Sequence, residues 1–320
     1  MLSPGLVLLN VTRRLAERLT AGLLVLWVSV TLTFFALQVV PGDPVKIIAG
    51  PGAVLTPDAV AALRKQFGLD QTAPERYLHY LLGLTQGSLG ISYESQQPVT
   101  GLILAQLGSS AALTLAALAV AWVVAITVIL LTAARAPLVD GIGRAFEVVT
   151  AALPDFWVGL LLVTVFAFTL HWFPSIGHGL RGLVLPALAL GLPLAGFLGQ
   201  ITRQSFADAM NQPFALSVRA RGASETRLRL RHALRHALLP GIALSNWAIG
   251  WLIGGSVAME QIFARQGIGT LILTAVERRD FPVIMGSVVL IALIYVVTNI
   301  VTDVLTFWVD PSHRQAQAQS

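Results

Sequence analysis

Residues 109–132, SSAALTLAALAVAWVVAITVILLT, carry no charged side chain and are long enough to cross a bilayer, since about 20 apolar residues in a helix match roughly 30 Å of hydrocarbon. Reading outward with the same window gives five further candidate spans, at 20–40, 148–170, 185–201, 242–257 and 284–305. Composition agrees: 55% of the 320 residues are apolar, 12% are charged, and the mean hydropathy is +0.75. This is the balance of an integral membrane protein. Backbone polar groups in hydrocarbon must be satisfied within the segment, so the spans are predicted as six transmembrane helices of an all-α protein. Pro186, Gly191, Pro193, Gly196 and Gly199 interrupt the fourth span, and Gly250, Gly254 and Gly255 the fifth. Such residues are tolerated where neighbouring helices meet the freed backbone groups.

The charges orient these spans. Arg13, Arg14 and Arg18 precede the first, Arg135 and Arg144 separate the second from the third, seven arginines from Arg203 to Arg235 separate the fourth from the fifth, and Arg314 follows the sixth. The alternate loops hold Lys46, Arg64, Lys65, Arg76, Arg181, Arg265, Arg278 and Arg279, offset by a similar number of carboxylates. The positive-inside rule therefore predicts cytoplasmic N and C termini. The first span is too long for a signal-peptide core and lacks a small-x-small cleavage site, so it reads as an uncleaved anchor. A net charge of +5 does not imply nucleic acid, because the basic residues flank apolar spans and are not interleaved with base-stacking aromatics. With no Cys, the chain has no disulfide, thiol chemistry or thiolate metal site, and its redox compartment stays open.

This organisation gives an N-terminal segment and first helix at 1–40, an extracytoplasmic cap at 41–106, a five-helix core at 107–310 containing a basic loop at 203–240, and a polar tail at 311–320. The cap is too long for a simple connection, and its PGDP (41–44) and TPD (56–58) read as ordered turns. Thr56 or Asp58 is predicted to cap a short helix over 59–67, and 75–84 reads as another. The cap is either a packing platform for the helix ends or a partner-contacting surface.

Residues 217–240, SVRARGASETRLRLRHALRHALLP, read as two short helices about Gly222. In the second, Arg227, Arg231 and Arg235 recur every fourth residue beside Leu230, Leu234 and Leu238, the pattern of an amphipathic helix lying on anionic lipid. In the first, Arg219, Ala220, Arg221, Gly222, Ala223 and Ser224 are small or basic, suited to close approach by another protein's backbone.

This loop resembles the cytoplasmic coupling motif of the membrane permeases of dipeptide, oligopeptide and nickel ATP-binding-cassette (ABC) importers, with Gly222 at its glycine and Leu239-Pro240 at its closing Leu-Pro. Further stretches resemble the same family in order and spacing: PGDP, the segment FGLDQTAPERYLHYLLGLTQGSLGISY (67–93), LPDFW (153–157), EQIF with GIG (260–269), RDFPV (279–283) and NIVTDVLTFWVDP (299–311). Together they cover nearly the whole chain. Gln266 stands where the family usually has Pro, and Val218 where a small residue is common.

The resemblance implies a type I ABC importer permease fold in a bacterial or archaeal inner membrane. It also implies a second homologous permease as heterodimer partner, two ATPase subunits inside and a solute-binding protein outside. Ser217, Val218, Arg219, Ala220, Arg221, Gly222, Ala223, Ser224 and Glu225 would then dock the ATPase. Independently, the chain's two lysines, Lys46 and Lys65, stand in no phosphate-binding G-x-x-x-x-G-K-[ST] loop. ATP and its Mg are therefore expected in partner subunits, this chain having no cofactor and no catalytic residue of its own.

Asp155 lies 11 residues past Arg144, so a straight helix rising about 1.5 Å per residue would bury it about 16 Å deep. It is either a contact for a cationic substrate group or a hydrogen-bonding partner in a Pro-Asp kink. Asp303 has the second kind of reading alone. Ser245, Asn246, Trp247 and Trp251 are candidates to line the pathway or to pack within it. His171 and His178 share a short external loop, but their spacing and the lack of nearby Met or Cys make no metal site; His232 and His236 lie among arginines that disfavour a cation. A secondary transporter or channel would call for an internal repeat or more charged residues inside the spans, and an intramembrane enzyme for a catalytic constellation; neither pattern is present. Peptide is the favoured cargo and nickel or a metal chelate the alternative.

Overall fold

The computed structural model describes residues 4–50, 52–176 and 179–309, with side chains from 17 to 302 within those ranges. Among the described residues every regular element is helical, apart from one isolated bridge between Ile91 and Pro98. Helix α1 (Pro4–Val39) ends at the PGDP turn, where Asp43 caps α2 (Pro44–Ala49) by accepting the Val45 N–H at 3.1 Å. Thr56 caps α3 (Pro57–Gln66) through the Ala59 N–H at 3.3 Å, with Pro57 in the first turn, where its missing donor costs nothing. At the start of α4 (Ala73–Thr85), Glu75 Oε2 accepts both the backbone N–H and the hydroxyl of Thr72 at 2.8 Å. The charge-free stretch that opened the sequence forms the later part of α5 (Val99–Thr132).

The third predicted span is not one straight helix. Helix α6 (Pro137–Ala152) and helix α7 (Asp155–Leu162), which continues through a π-helical turn at Val163–Thr169, are bent by 97° at Leu153 and Pro154. Pro154 offers no N–H to the helix behind it and pushes Leu153 into extended backbone (ψ 129). The depth of Asp155 therefore cannot be obtained by counting helical rise from Arg144.

Helix α8 (Arg181–Met210) runs through Pro186 and Pro193 and is followed by α9 (Pro213–Ala220) and the single turn α10 (Glu225–Arg227). A second correction falls here. The basic residues after Gly222 do not form a separate surface helix; a π turn at Leu228–Ala233 joins α10 to α11 (Leu234–Ile262), so that the helix spans Glu225–Ile262. Helices α12 (Ile268–Arg278) and α13 (Phe281–Val309) complete the described chain. Among the described residues five helices are long and apolar enough to cross a membrane, or six crossings if the bent pair counts as one.

The chain divides into two compact units. One comprises Leu9–Ser110 and Gln266–Val296; the other comprises Ala111–Arg265 with residues 4–8 and 297–309. In the second, α8 is central, with 72% of its most apolar window buried against at most 33% in the other four long helices. Small residues let that packing close: a Cβ on Gly191 would lie 2.8 Å from the Ala117 carbonyl oxygen of α5. Leu113, Leu162, Leu190, Leu198, Leu252 and Met259 form much of the core around it.

In the first unit, α4 packs on α1 and α13 through Tyr77 and Tyr80 with Phe34 and Met285, and the Thr31 and Tyr77 hydroxyls are 2.6 Å apart. Buried Asp280, between α12 and α13, accepts the Ser92 hydroxyl and the backbone N–H groups of Tyr93 (3.0 Å) and Glu94 (3.3 Å). One carboxylate thus ties the SLGISY stretch to RDFPV, two of the matched motifs.

Candidate functional site

The segment at 217–225 is built on a Schellman turn. At the end of α9 the Gly222 N–H bonds to Arg219 O (2.9 Å) and the Ala223 N–H to Val218 O (3.3 Å), with Gly222 at φ +77. This left-handed position reverses the chain and favours glycine. Ser224 then caps the next helix by accepting the Arg227 N–H at 3.3 Å. Across the turn Arg219 Nε donates to Glu225 at 2.6 Å, and Arg221 Nε donates to Ser217 O at 3.2 Å. Ser217, Arg219, Ala220, Arg221, Gly222, Ser224 and Glu225 are exposed, and Ala223 is half-buried. Val218 points the other way: it is 4% exposed and packs with Phe206, Met210, Ala215 and Leu228 beneath the turn. It supports the surface from behind, so the residue usually small in the motif is absorbed by this chain's own core.

Two buried cations, neither singled out by spacing, hold this region. Arg229 is 7% exposed, and its Nη2 donates to the carbonyl oxygens of Ile129 (3.4 Å), Leu130 (3.1 Å) and Ala133 at the end of α5, while its guanidinium lies 5.1 Å from the Phe206 ring centroid. A cation there meets the last carbonyls of α5 and the negative end of the helix dipole. Arg229 lies within the π turn. Arg227, Arg231 and Arg235 are exposed, as is Leu230. Arg203 on α8, 3% exposed, donates Nε to both oxygens of Glu147 (2.9 and 2.7 Å), Nη1 to Asp140 (2.9 Å) and Nη2 to Thr132 (2.7 Å). The visible signal for this cluster was Glu147, an acid beside an apolar run.

The α6–α7 bend opens a cavity of about 360 Å³, with Asp155, Phe197, Trp247 and Trp251 in its lining. The two tryptophans stack at 6.4 Å and 20°, and Phe197 lies 5.1 Å from Trp247. Of the five pathway candidates the structure thus brings together Asp155, Trp247 and Trp251. Ser245 accepts the Trp122 indole N–H at 3.0 Å, and Asn246 donates to Asn299 at 2.8 Å; neither lines the cavity. Phe197 was missed, because an aromatic within an apolar run carries no signal of its own. His171 bonds the Thr169 carbonyl at 3.2 Å and His236 lies 5.0 Å from the Phe214 ring, whereas His178 and the Asp303 side chain lie outside the described residues.

The chain is similar in sequence to known proteins over most of its length. Residues 125–315 match the family described as binding-protein-dependent transport system inner membrane component, and residues 11–114 match its N-terminal companion. The glutathione transport system permease protein GsiC of Escherichia coli is 33% identical over 300 residues, covering 93% of this chain and 97% of that relative. GsiC of Salmonella typhi is 33% identical over 302 residues with the same coverage. The inward-facing MetNI methionine ABC transporter is similar with a TM-score of 0.49 and 18% identity, over 65% of this chain and 96% of that one. With matched segments running from residue 11 to residue 315 and the motif stretches joined as described, the chain belongs to the binding-protein-dependent transport inner-membrane family, as a non-catalytic, multi-pass ABC importer permease of the inner membrane.

Proposed function

We propose that this permease passes a peptide-like solute, a di- or oligopeptide or a glutathione-like tripeptide, from a solute-binding protein to the cytoplasm. It would do so paired with a second homologous permease and docked on two ATPase subunits that hold the ATP and Mg. Both termini and the turn at 217–225 face the cytoplasm in this reading. The observation that carries it is the coupling turn: a left-handed glycine with nothing within 4 Å of its would-be Cβ, presented on a buried base. This chain's own packing does not need that space, which leaves it for a partner. The names of the GsiC relatives support a peptide-like cargo. Nickel finds no supporting observation among the described residues, where no three His, Cys, Asp or Glu gather at a ligating site.

The test is native mass spectrometry of the assembly purified from its own membranes through a tag on this chain. A second permease, two ATPases and a retained peptide are the expected masses. This chain alone, or a homo-oligomer that transports without ATP, would overturn the reading.

A further inference from the structure

We propose that the cavity at the α6–α7 bend is a station for an organic ammonium group of the passing solute, held by the Asp155 carboxylate against the faces of Trp247, Trp251 and Phe197. This rests on the importer reading above and names the part of the cargo that this chain itself recognises.

Asp155 is the only charged residue in the cavity lining. Its Oδ1 accepts the N–H of the next residue, Phe156, at 2.6 Å. Its Oδ2 has no hydrogen-bond donor among the described residues and faces Gly255 of α11, 3.2 Å from the place a Cβ would take. No Lys, Arg or His among the described residues pairs with it. A carboxylate among apolar helices calls for a cationic counterpart, and the groups arranged around it select which cation. Tryptophan faces attract organic cations through the ring quadrupole. A bare metal ion would demand further oxygen or nitrogen ligands, and no such group gathers among the described residues. The volume of about 360 Å³ admits the end of a small peptide. The missing side chain of Gly255 lets Oδ2 approach α11 closely.

The competing explanation is that Asp155 is merely an acid in the first turn of α7, stabilised by the helix dipole. Asp155→Asn separates the two, because asparagine keeps the side-chain oxygen for the Phe156 N–H but loses the charge. The experiment uses the importer purified through a tag on this chain, in nanodiscs without solute-binding protein, and follows tryptophan fluorescence as trialanine or N-acetyl-trialanine is added. We expect trialanine to bind about tenfold more tightly than its acetylated form, and Asp155→Asn to bring the two within about twofold. Trp247→Leu, at a position half exposed in the chain and so tolerant of change, is expected to shrink the same preference and serves if Asp155→Asn does not fold. An acetylated peptide whose sole amine is a lysine side chain shows whether the ammonium must be the amino terminus. Equal binding of free and acetylated trialanine by the unsubstituted importer, no binding of either, or a preference untouched in both variants, would overturn the site. ATP-driven peptide uptake with solute-binding protein, measured on the same preparation, keeps the two readings apart: uptake without amine-selective binding removes only the cavity's role, whereas absent uptake removes the proposed function.

Discussion

Arg203 shows how much one side chain decides. It sits 3% exposed against Glu147, itself 1% exposed, and its other nitrogens reach Asp140 and Thr132. Arg203→Met would strand Glu147, and removing one member of a buried pair costs about 3–5 kcal/mol. We expect a clearly lowered unfolding temperature in detergent, with most of it recovered in the double variant Arg203→Met/Glu147→Met; a double variant no better than the single would show that the pair is not the cause. Gly222 is the opposite case, because nothing of its own chain surrounds it. The left-handed backbone costs most residues about 1–2 kcal/mol, a penalty asparagine largely escapes. Gly222→Asn should therefore insert and fold normally yet lose most ATP-coupled uptake; unimpaired uptake would show that no partner closes over the turn. The sequence displayed Gly222 through its setting of small and basic residues. It counted Arg203 only as one more positive charge, since partners 56, 63 and 71 positions away leave no local pattern.

At the level of elements, α10, the π turn and α11 act together. Arg227, Arg231 and Arg235 recur every fourth residue on one exposed stripe, and Arg229, two residues past Arg227, points away from it. From within the wider turn at Leu228–Ala233, Arg229 reaches the last carbonyls of α5. Hydrogen bonds to a charged group contribute about 1.5–3 kcal/mol. Arg229→Leu is expected to loosen that helix end, seen as faster tryptic cleavage after Arg135, with Arg229→Lys intermediate because an ammonium cannot span the carbonyls as a planar guanidinium does. Unchanged cleavage in Arg229→Leu would remove the capping role. The α6–α7 bend belongs to the same scale. Pro154 was visible in LPDFW, but whether a proline kinks a helix gently or turns it through 97° depends on what the two halves pack against, and α8 and α11 supply those surfaces.

For the whole molecule, orientation is the testable matter, and the absence of cysteine makes the test direct. Ser95→Cys lies on an exposed part of the loop after α4, and Ser217→Cys on the exposed face of α9. The arginine distribution predicts that they lie on opposite sides of the membrane. A membrane-impermeant maleimide applied outside intact cells should label Ser95→Cys and spare Ser217→Cys until the membrane is opened; the reverse pattern would invert the topology. The sequence by itself determined the class, the approximate span positions, the capped helices of the 41–106 segment and the family, because each is written in local signals: apolar runs as long as a bilayer is thick, charge asymmetry between loops, and turn residues next to the helices they cap. Only the tertiary structure decided that one apolar run is bent, that Val218 faces inward, that Arg203 and Arg229 are buried, and that Asp155 shares a cavity with Trp247 and Trp251. These are matters of which surfaces meet, and close packing of residues distant in the chain is set by shape and charge across helices, which no single window of sequence contains.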